Sequence, residues 1–279
     1  MSIDRNRFTD SYEQRLLRMY SEINSDLKDI LIDALANGKT TDYYLKLKKQ
    51  VSEIIRSHNA KIKGWSYEST DKIYRRAVQL VDNDVKRLGI DALDNFGRIN
   101  QNAISILAEN TFGKLETATA MIGRSADDEL RKMGLASIRG TVGGYESVGQ
   151  AKIKLREQIK SKIGGYVTYK DGKQVPAKVY AEMVARTSTA ECHRMATQNR
   201  ILQTFDNNDL VEIVGPLDEK NRPACENAVG KVYSLEGLTA GYPLLSEYIA
   251  DGGFGVNCRH DSAVTSKVIS EYKKKNINF

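Results

Sequence analysis

The stretch that decides the fold is YVTYKDGKQVPAKVYAEMVARTSTAECHRMATQNRILQTF, residues 166–205. Asp171-Gly172 supplies the positive φ angles of a tight turn, which predicts a β-hairpin over residues 166–175. Pro176 suits the first turn of a helix, where its missing N–H leaves no hydrogen bond unmade. The residues that follow predict one long helix from about Ala177 to Phe205.

The residues after this helix predict one strand and then a region rich in loops. Asp209–Val214 (DLVEIV) is mostly apolar, as expected for a buried strand, and Gly215-Pro216 ends it. Further on, GPLDEKNRPAC and DGGFGVNCRHD carry glycine, proline, asparagine and aspartate, the residues that turns favour. The sequence therefore predicts a small C-terminal domain in which short strands are joined by loops.

Residues 1–165 have a different character. They contain no proline, which permits long helices. Apolar residues recur at helical spacing in four stretches, and each predicts a helix: 23–31, 51–55, 73–81 and 93–107. The five glycines of residues 134–149 predict a connection without regular structure.

These patterns predict an α+β fold with two domains. The first, residues 1–165, is mostly α-helical. The second, residues 166–279, is a small α+β domain with a β-hairpin, one long helix and a loop-rich sheet.

The composition excludes several classes of protein. The chain has 279 residues, of which 41% are hydrophobic, and its mean hydropathy is −0.47. No stretch approaches the roughly 20 apolar residues of a membrane-spanning helix, and the N-terminus lacks the apolar segment of a secretory signal. Three cysteines are too few for a disulfide framework, so we expect a reducing compartment.

The net charge of +6 is concentrated in the N-terminal region. Residues 1–165 carry 28 Lys and Arg against 22 Asp and Glu, whereas residues 166–279 carry 14 of each. One segment accounts for most of the excess, with Lys152, Lys154, Arg156, Lys160 and Lys162 against only Glu157. It is a candidate contact for DNA phosphates or an acidic partner. A solvated helix face, which is ordinarily charged, is the favoured interpretation.

Four ordered stretches carry a resemblance to a known family. They are the hairpin and helix start TYKDGKQVPAKVYAEMVARTSTA, the strand Asp209–Val214, the pair Arg222-Pro223-Ala224-Cys225 and Gly230–Leu235, and Gly255–His260 (GVNCRH). Together they resemble the minor capsid protein 2 and Mu F-like head morphogenesis group of tailed phages. The match covers residues 166–265; for the N-terminal region it supports only helices at the same place in the chain.

The resemblance implies a virion protein present in few copies, with no catalytic activity. It implies a position inside the capsid near the portal and a role in head morphogenesis or genome delivery. Its expected partners are the portal protein, the major capsid protein and packaged double-stranded DNA. It is expected in the host cytoplasm during assembly, and its helical region, residues 1–165, is expected to face the portal, the capsid or DNA.

Cysteine and histidine in the C-terminal domain form a candidate zinc site. Cys225, Cys258 and His260 offer thiolate and imidazole ligands, and zinc prefers four such ligands in a tetrahedron. A fourth ligand would come from Cys192, His193 or Asp218. The family resemblance leads us to expect His at the position of Cys225, and that exchange keeps the capacity to bind zinc. The favoured alternative is that the thiols are buried core residues without metal.

Four further residues are expected to hold the loops together. Arg186 and Arg259 are predicted to be buried, each bonding loop carbonyls or a carboxylate such as Asp218. Asn257 is predicted to adopt a turn conformation before Cys258.

Enzymatic alternatives find little support. The order and spacing of the Cys and His residues match no hydrolase. The run Arg186–Thr189 resembles elements of ADP-ribosyltransferases, but these residues share one predicted helix and no Glu-x-Glu follows. An effector enzyme of this type delivered with the phage genome, and a nucleic-acid-binding module using residues 152–162, remain the alternatives.

Overall fold

Three long helices come first along the chain: α1 (Ser2–Asn37), α2 (Thr41–Arg87) and α3 (Arg98–Gly143). The structure is a computed structural model that describes residues 2–37, 41–87, 89–91, 96–143, 165–205 and 209–274. In the part of the chain that the structure describes, no helix is both long and apolar enough to cross a membrane.

The prediction of separate helices over 51–55 and 73–81 is wrong, because both lie on α2. Buried positions continue at helical spacing through His58, Ile62 and Trp65, and no proline interrupts them. α2 ends shortly before Gly89. Gly89 has a φ of 79°, its N–H donates to Lys86 O, and Ile90 N–H donates to Val85 O. This pattern is a Schellman cap, which needs glycine at the left-handed position.

The prediction of a connection without regular structure over residues 134–149 is also partly wrong. α3 continues to Gly143, so residues 134–143 of the predicted connection are helical. Gly134 lies against the ring of Tyr44, where an added Cβ would be 3.6 Å from Tyr44 Cγ. This distance is an ordinary van der Waals contact, so the packing of Tyr44 does not require glycine, and α3 tolerates a residue of low helix propensity here.

The predicted hairpin is confirmed. β1 (Tyr166–Thr168) pairs antiparallel with β2 (Gln174–Pro176), with Val167 opposite Val175. Only Gly172 has positive φ, at 83°, so the expectation of positive φ at Asp171 as well is wrong. Tyr169 N–H donates to Lys173 O, which makes a three-residue loop with glycine at its left-handed position.

The long helix after the hairpin is confirmed as α4 (Ala177–Thr204). β3 (Leu210–Val214) is buried as predicted and forms the centre of a three-stranded antiparallel sheet of order β4-β3-β5. The other elements are α5 (Pro223–Ala228), β4 (Val232–Ser234), α6 (Leu245–Ala250), β5 (Asp261–Ala263) and α7 (Ser266–Lys274). The observed architecture is α+β, as the sequence predicts.

Contacts within the chain define two compact units. The sheet unit comprises Met1–Asp10, Tyr67–Glu109 and Ala185–Phe279, and the hairpin unit comprises Ser11–Ser66 and Asn110–Val184. The predicted boundary between residues 165 and 166 separates two domains that would fold independently. Compact units defined by contacts do not test independent folding, so this boundary stays a prediction.

Each unit has its own core. In the hairpin unit, Tyr20 donates its buried hydroxyl to Leu115 O at 2.8 Å, and Trp65 donates Nε1–H to Tyr12 O at 3.0 Å. In the sheet unit, α2, α4, α7 and the sheet bury a cluster that includes Val81, Ile201, Leu210, Ile213, Cys225, Tyr248, Cys258, Val268 and Tyr272.

Candidate metal centre

The sheet unit brings three of the four candidate ligands together. Cys225 lies in α5, which begins at Pro223 in the first helical position. Cys258 and His260 lie directly before β5. The sulfur atoms of Cys225 and Cys258 are 3.8 Å apart, and Cys258 Sγ is 3.6 Å from His260 Nδ1. All three ligand atoms lie within 4.8 Å of one another.

The group is buried and its ligand atoms are chemically soft. All three side chains are buried, and the two sulfurs are too far apart for a disulfide, which needs about 2.05 Å. Burial raises the pKa of the Cys258 thiol. Burial also raises the pKa of Tyr248, as does its hydroxyl hydrogen bond to Cys225 Sγ at 3.4 Å. A thiol with a raised pKa is a poor nucleophile, whereas a metal ion can still displace its proton.

The histidine is held from several sides. Its Nε2 lies 3.0 Å from Pro216 O, and its backbone carbonyl accepts a hydrogen bond from Arg194 Nη1 at 3.3 Å. The ring packs on Gly215, where an added Cβ would lie 2.9 Å from His260 Cγ and closer still to Cδ2. Glycine is therefore required at this position for the ring to sit where it does.

Cys192, the fourth metal candidate, lies elsewhere. It is buried on α4 and donates its thiol to Thr70 O at 3.4 Å, and burial raises its pKa. Its neighbour His193 lies beside a carboxylate and not beside the two cysteines: His193 Nδ1 is 2.7 Å from Asp261 Oδ2. Neither residue belongs to the Cys/His group.

Arg259 and Asp218 form a pair at the surface. Arg259 Nη1 donates to Asp218 Oδ2 at 2.6 Å, and Nη2 donates to Oδ1. The hydrogen bonds from Arg259, and next that from Lys220 N–H, hold the pKa of Asp218 at about 2. The expected burial of Arg259 and Arg186 is wrong, because both are exposed. Asn257 adopts a left-handed turn conformation, with φ 57°, and its N–H donates to Thr187 Oγ1.

The buried arginines are instead Arg194 and Arg200, further along α4. Arg194 bonds His260 O, and its guanidinium lies 4.5 Å from the centre of the Phe254 ring. Arg200 donates Nε–H to Asp82 Oδ1 at 2.6 Å and Nη2–H to Oδ2 at 3.0 Å. The buried structural role that the sequence assigned to Arg186 thus belongs to arginines two and four turns later.

Asp209 is a further structural residue that the sequence analysis missed. Its fully buried carboxylate accepts five hydrogen bonds: from Ser234 Oγ, Glu236 N–H and Leu238 N–H to Oδ2, and from Thr239 N–H and Oγ1 to Oδ1. Burial acts to raise the pKa of Asp209, but these hydrogen bonds outweigh it and lower the pKa. The carboxylate thereby holds the loop after β4.

A cavity of about 270 Å³ lies beside the metal candidates. It is lined mainly by apolar side chains, such as Val81 and Val264, and its ionisable lining residues are Asp84, His193, Arg259 and Asp261. Gly215 and Pro216, which support His260, also line it.

The remaining sequence predictions can now be placed. Residues Arg186–Thr189 all lie on α4, so the arrangement on separate strands that an ADP-ribosyltransferase needs is not formed by this run. The basic segment with Lys152, Lys154, Arg156, Lys160 and Lys162 lies outside the described residues.

Comparison with known proteins adds one match. The family model described as phage minor capsid protein 2 matches residues 6–276. No curated protein and no solved structure gave a significant match. The matched span includes the long helices as well as the four ordered stretches of residues 166–265, so the resemblance read from those stretches is confirmed. The chain therefore belongs to the phage minor capsid protein 2 family, and it is a structural protein of the phage virion.

Proposed function

We propose that this chain lies inside the phage head near the portal, and that it assists head morphogenesis or genome delivery. Its proposed partners are the portal protein, the major capsid protein and packaged double-stranded DNA. The observation that carries the proposal is the family match over residues 6–276, because it spans nearly the whole chain rather than one small module.

The buried polar groups of the sheet unit favour a structural role over a catalytic one. The Asp209 carboxylate is occupied by five donors, and Arg200 binds Asp82 with two hydrogen bonds. The pKa of the Cys258 thiol is raised by burial, which disfavours a nucleophile. The Asp209 bonds hold a loop, and the Arg200–Asp82 bonds join α4 to α2; a protein that must keep its shape during assembly needs such contacts.

Limited proteolysis of phage particles tests the position. If the chain lies inside the head, protease should leave it intact in full particles and digest it after the heads are opened. Cross-linking and mass spectrometry of the same particles should join it to the portal protein more often than to the major capsid protein. Digestion in full particles, or cross-links to tail proteins alone, would contradict an internal position near the portal.

A nonsense mutation in the gene for this chain separates the two roles. A morphogenesis role predicts fewer complete heads. A genome-delivery role predicts a normal number of DNA-filled heads with low infectivity. Complementation with the wild-type gene is the control, and normal particle numbers together with normal infectivity would reject both roles.

A further inference from the structure

We propose that the sheet unit binds one zinc ion through Cys225 Sγ, Cys258 Sγ and His260 Nδ1. This inference goes beyond the proposed role in the phage head and does not depend on where the chain lies in the particle. It rests on the distances between the three ligand atoms, on the hydrogen bond that orients His260, and on the burial of the group.

The distances match the edges of a zinc tetrahedron. Zn–S bonds of about 2.3 Å and a Zn–N bond of about 2.05 Å at tetrahedral angles place two sulfurs about 3.8 Å apart and a sulfur and a nitrogen about 3.6 Å apart. The observed distances are 3.8 Å between Cys225 Sγ and Cys258 Sγ, and 3.6 Å between Cys258 Sγ and His260 Nδ1. Two edges of the coordination sphere therefore exist before any ion enters.

The orientation of His260 presents the correct nitrogen. Its Nε2 lies 3.0 Å from Pro216 O, and a carbonyl oxygen can only accept a hydrogen bond. Nε2 therefore carries the hydrogen, and Nδ1 presents its lone pair toward Cys258 Sγ. Metal-binding histidines have this arrangement, in which the second ring nitrogen donates to a carbonyl or carboxylate.

The surroundings supply support for thiolate ligands. The Tyr248 hydroxyl can donate its hydrogen bond to Cys225 Sγ at 3.4 Å, which stabilises negative charge on that sulfur. Two thiolates and one neutral imidazole are the soft donors that favour zinc over magnesium or calcium. Within the described part of the chain no other Cys, His, Asp or Glu joins this group, which leaves the fourth position to water.

The ion would join segments that are far apart in the chain. Cys225 lies on α5, whereas Cys258 follows the turn at Asn257, 33 residues later. α5 and α6 have six residues each, and loops connect them. Cross-linking such short elements through a metal compensates for the small amount of regular structure around them.

Metal analysis of the full-length chain tests the proposal. The protein is produced with zinc in the medium, purified under reducing conditions without chelator, and analysed by mass spectrometry for metal content. We expect about one zinc per chain. After replacement of zinc by Co²⁺, we expect the absorption bands of tetrahedral cobalt and of thiolate-to-cobalt charge transfer. This second measurement uses the wild-type chain alone, so it does not depend on the folding of a variant.

Two serine variants locate the ligands. Cys258→Ser should lower bound zinc at least about tenfold and remove the cobalt charge-transfer band, since one thiolate is lost. Cys192→Ser is the matched control, because Cys192 is a buried thiol outside the group, and this variant should keep the metal. A folded, reduced wild-type chain that binds neither zinc nor cobalt would overturn the proposal. So would equal loss of metal in the two variants, or a disulfide between Cys225 and Cys258.

Discussion

Asp209→Asn should destabilise the sheet unit far more than its small chemical change suggests. The side chain keeps its shape, but one carboxylate oxygen becomes an NH₂ group. In the structure every partner of that carboxylate is a donor. An amide nitrogen in this place therefore faces backbone N–H donors, and only the hydroxyl of Ser234 or Thr239 could turn to accept one of its hydrogens.

The magnitude follows from the partners on each oxygen. If the amide oxygen replaces Oδ2, it keeps Ser234 Oγ, Glu236 N–H and Leu238 N–H, and the buried N–H of Thr239 loses its acceptor. A buried donor without a partner costs about 1–3 kcal/mol. The three retained bonds also become neutral, and each then contributes about 1 kcal/mol less than a bond to a charged acceptor. These terms amount to about 4–6 kcal/mol. Because the neutral side chain avoids the cost of burying a charge, and because the terms are not fully additive, we expect a loss of about 3 kcal/mol in the free energy of unfolding.

Urea denaturation followed by circular dichroism measures this loss, and Asp91→Asn is the matched control. Asp91 is exposed and lies in the same unit, so the same substitution there should change the free energy of unfolding by no more than about 0.5 kcal/mol. The slope of the unfolding free energy against urea should be the same in all three proteins. A loss below about 1 kcal/mol for Asp209→Asn would refute the reasoning, because it would show that the five bonds contribute little.

The same experiment has a pH dependence of known sign. The pKa of Asp209 is lower in the folded chain than the unfolded value of about 3.9. Above that value both states are ionised and the stabilisation is complete. As the pH falls below it, the unfolded chain takes up the proton first, and the stabilisation is lost as the pH passes through the folded pKa. The difference between wild type and Asp209→Asn should therefore shrink below about pH 4.

Three further predictions follow from the structure. Gly215→Ala should lower zinc binding, because the new Cβ would collide with the His260 ring. Cys192 should stay protected from alkylation, which would show that the variant is folded; unchanged metal content would contradict this packing. Arg200→Met should cost about 1–3 kcal/mol in urea denaturation, since it leaves the half-buried Asp82 carboxylate without this partner, and adding Asp82→Asn should recover part of the loss. Asp218→Asn should shift the urea midpoint no more than the Asp91→Asn control, because the Arg259 pair is exposed and screened by solvent; a larger shift would show that this pair stabilises the fold.

Local signals explain which parts of the fold could be predicted. Gly172 and Pro176 mark the hairpin and the start of α4, and both lie next to the structure they specify. The length of α2 could not be read in the same way. Its apolar stripe is interrupted at Ser66, Ser69 and Thr70, and only the burial of these polar residues shows that one helix runs through. A helix stabilised by tertiary contacts tolerates such a gap in its pattern.

The candidate site shows the same limit at the level of single side chains. Residue type identified Cys225, Cys258 and His260 as potential ligands, and the structure brings them together. The choice of arginine depends on which face of α4 is buried, and the sequence of that helix has small or apolar residues on several faces. Asp209 carries no local signal either, because its partners lie 25 to 30 residues further along the chain.

The Asp209 hydrogen bonds have a consequence for the motions of the loop that they hold. The loop after β4 has no regular secondary structure, yet the N–H groups of Glu236, Leu238 and Thr239 donate hydrogen bonds to the Asp209 carboxylate, directly before β3. Leu235 N–H donates to Asp209 O in addition. These amides can exchange with solvent only when the loop separates from the start of the central strand. The loop should therefore open with the sheet as one cooperative unit, on the slow timescale of subglobal unfolding rather than that of surface loops.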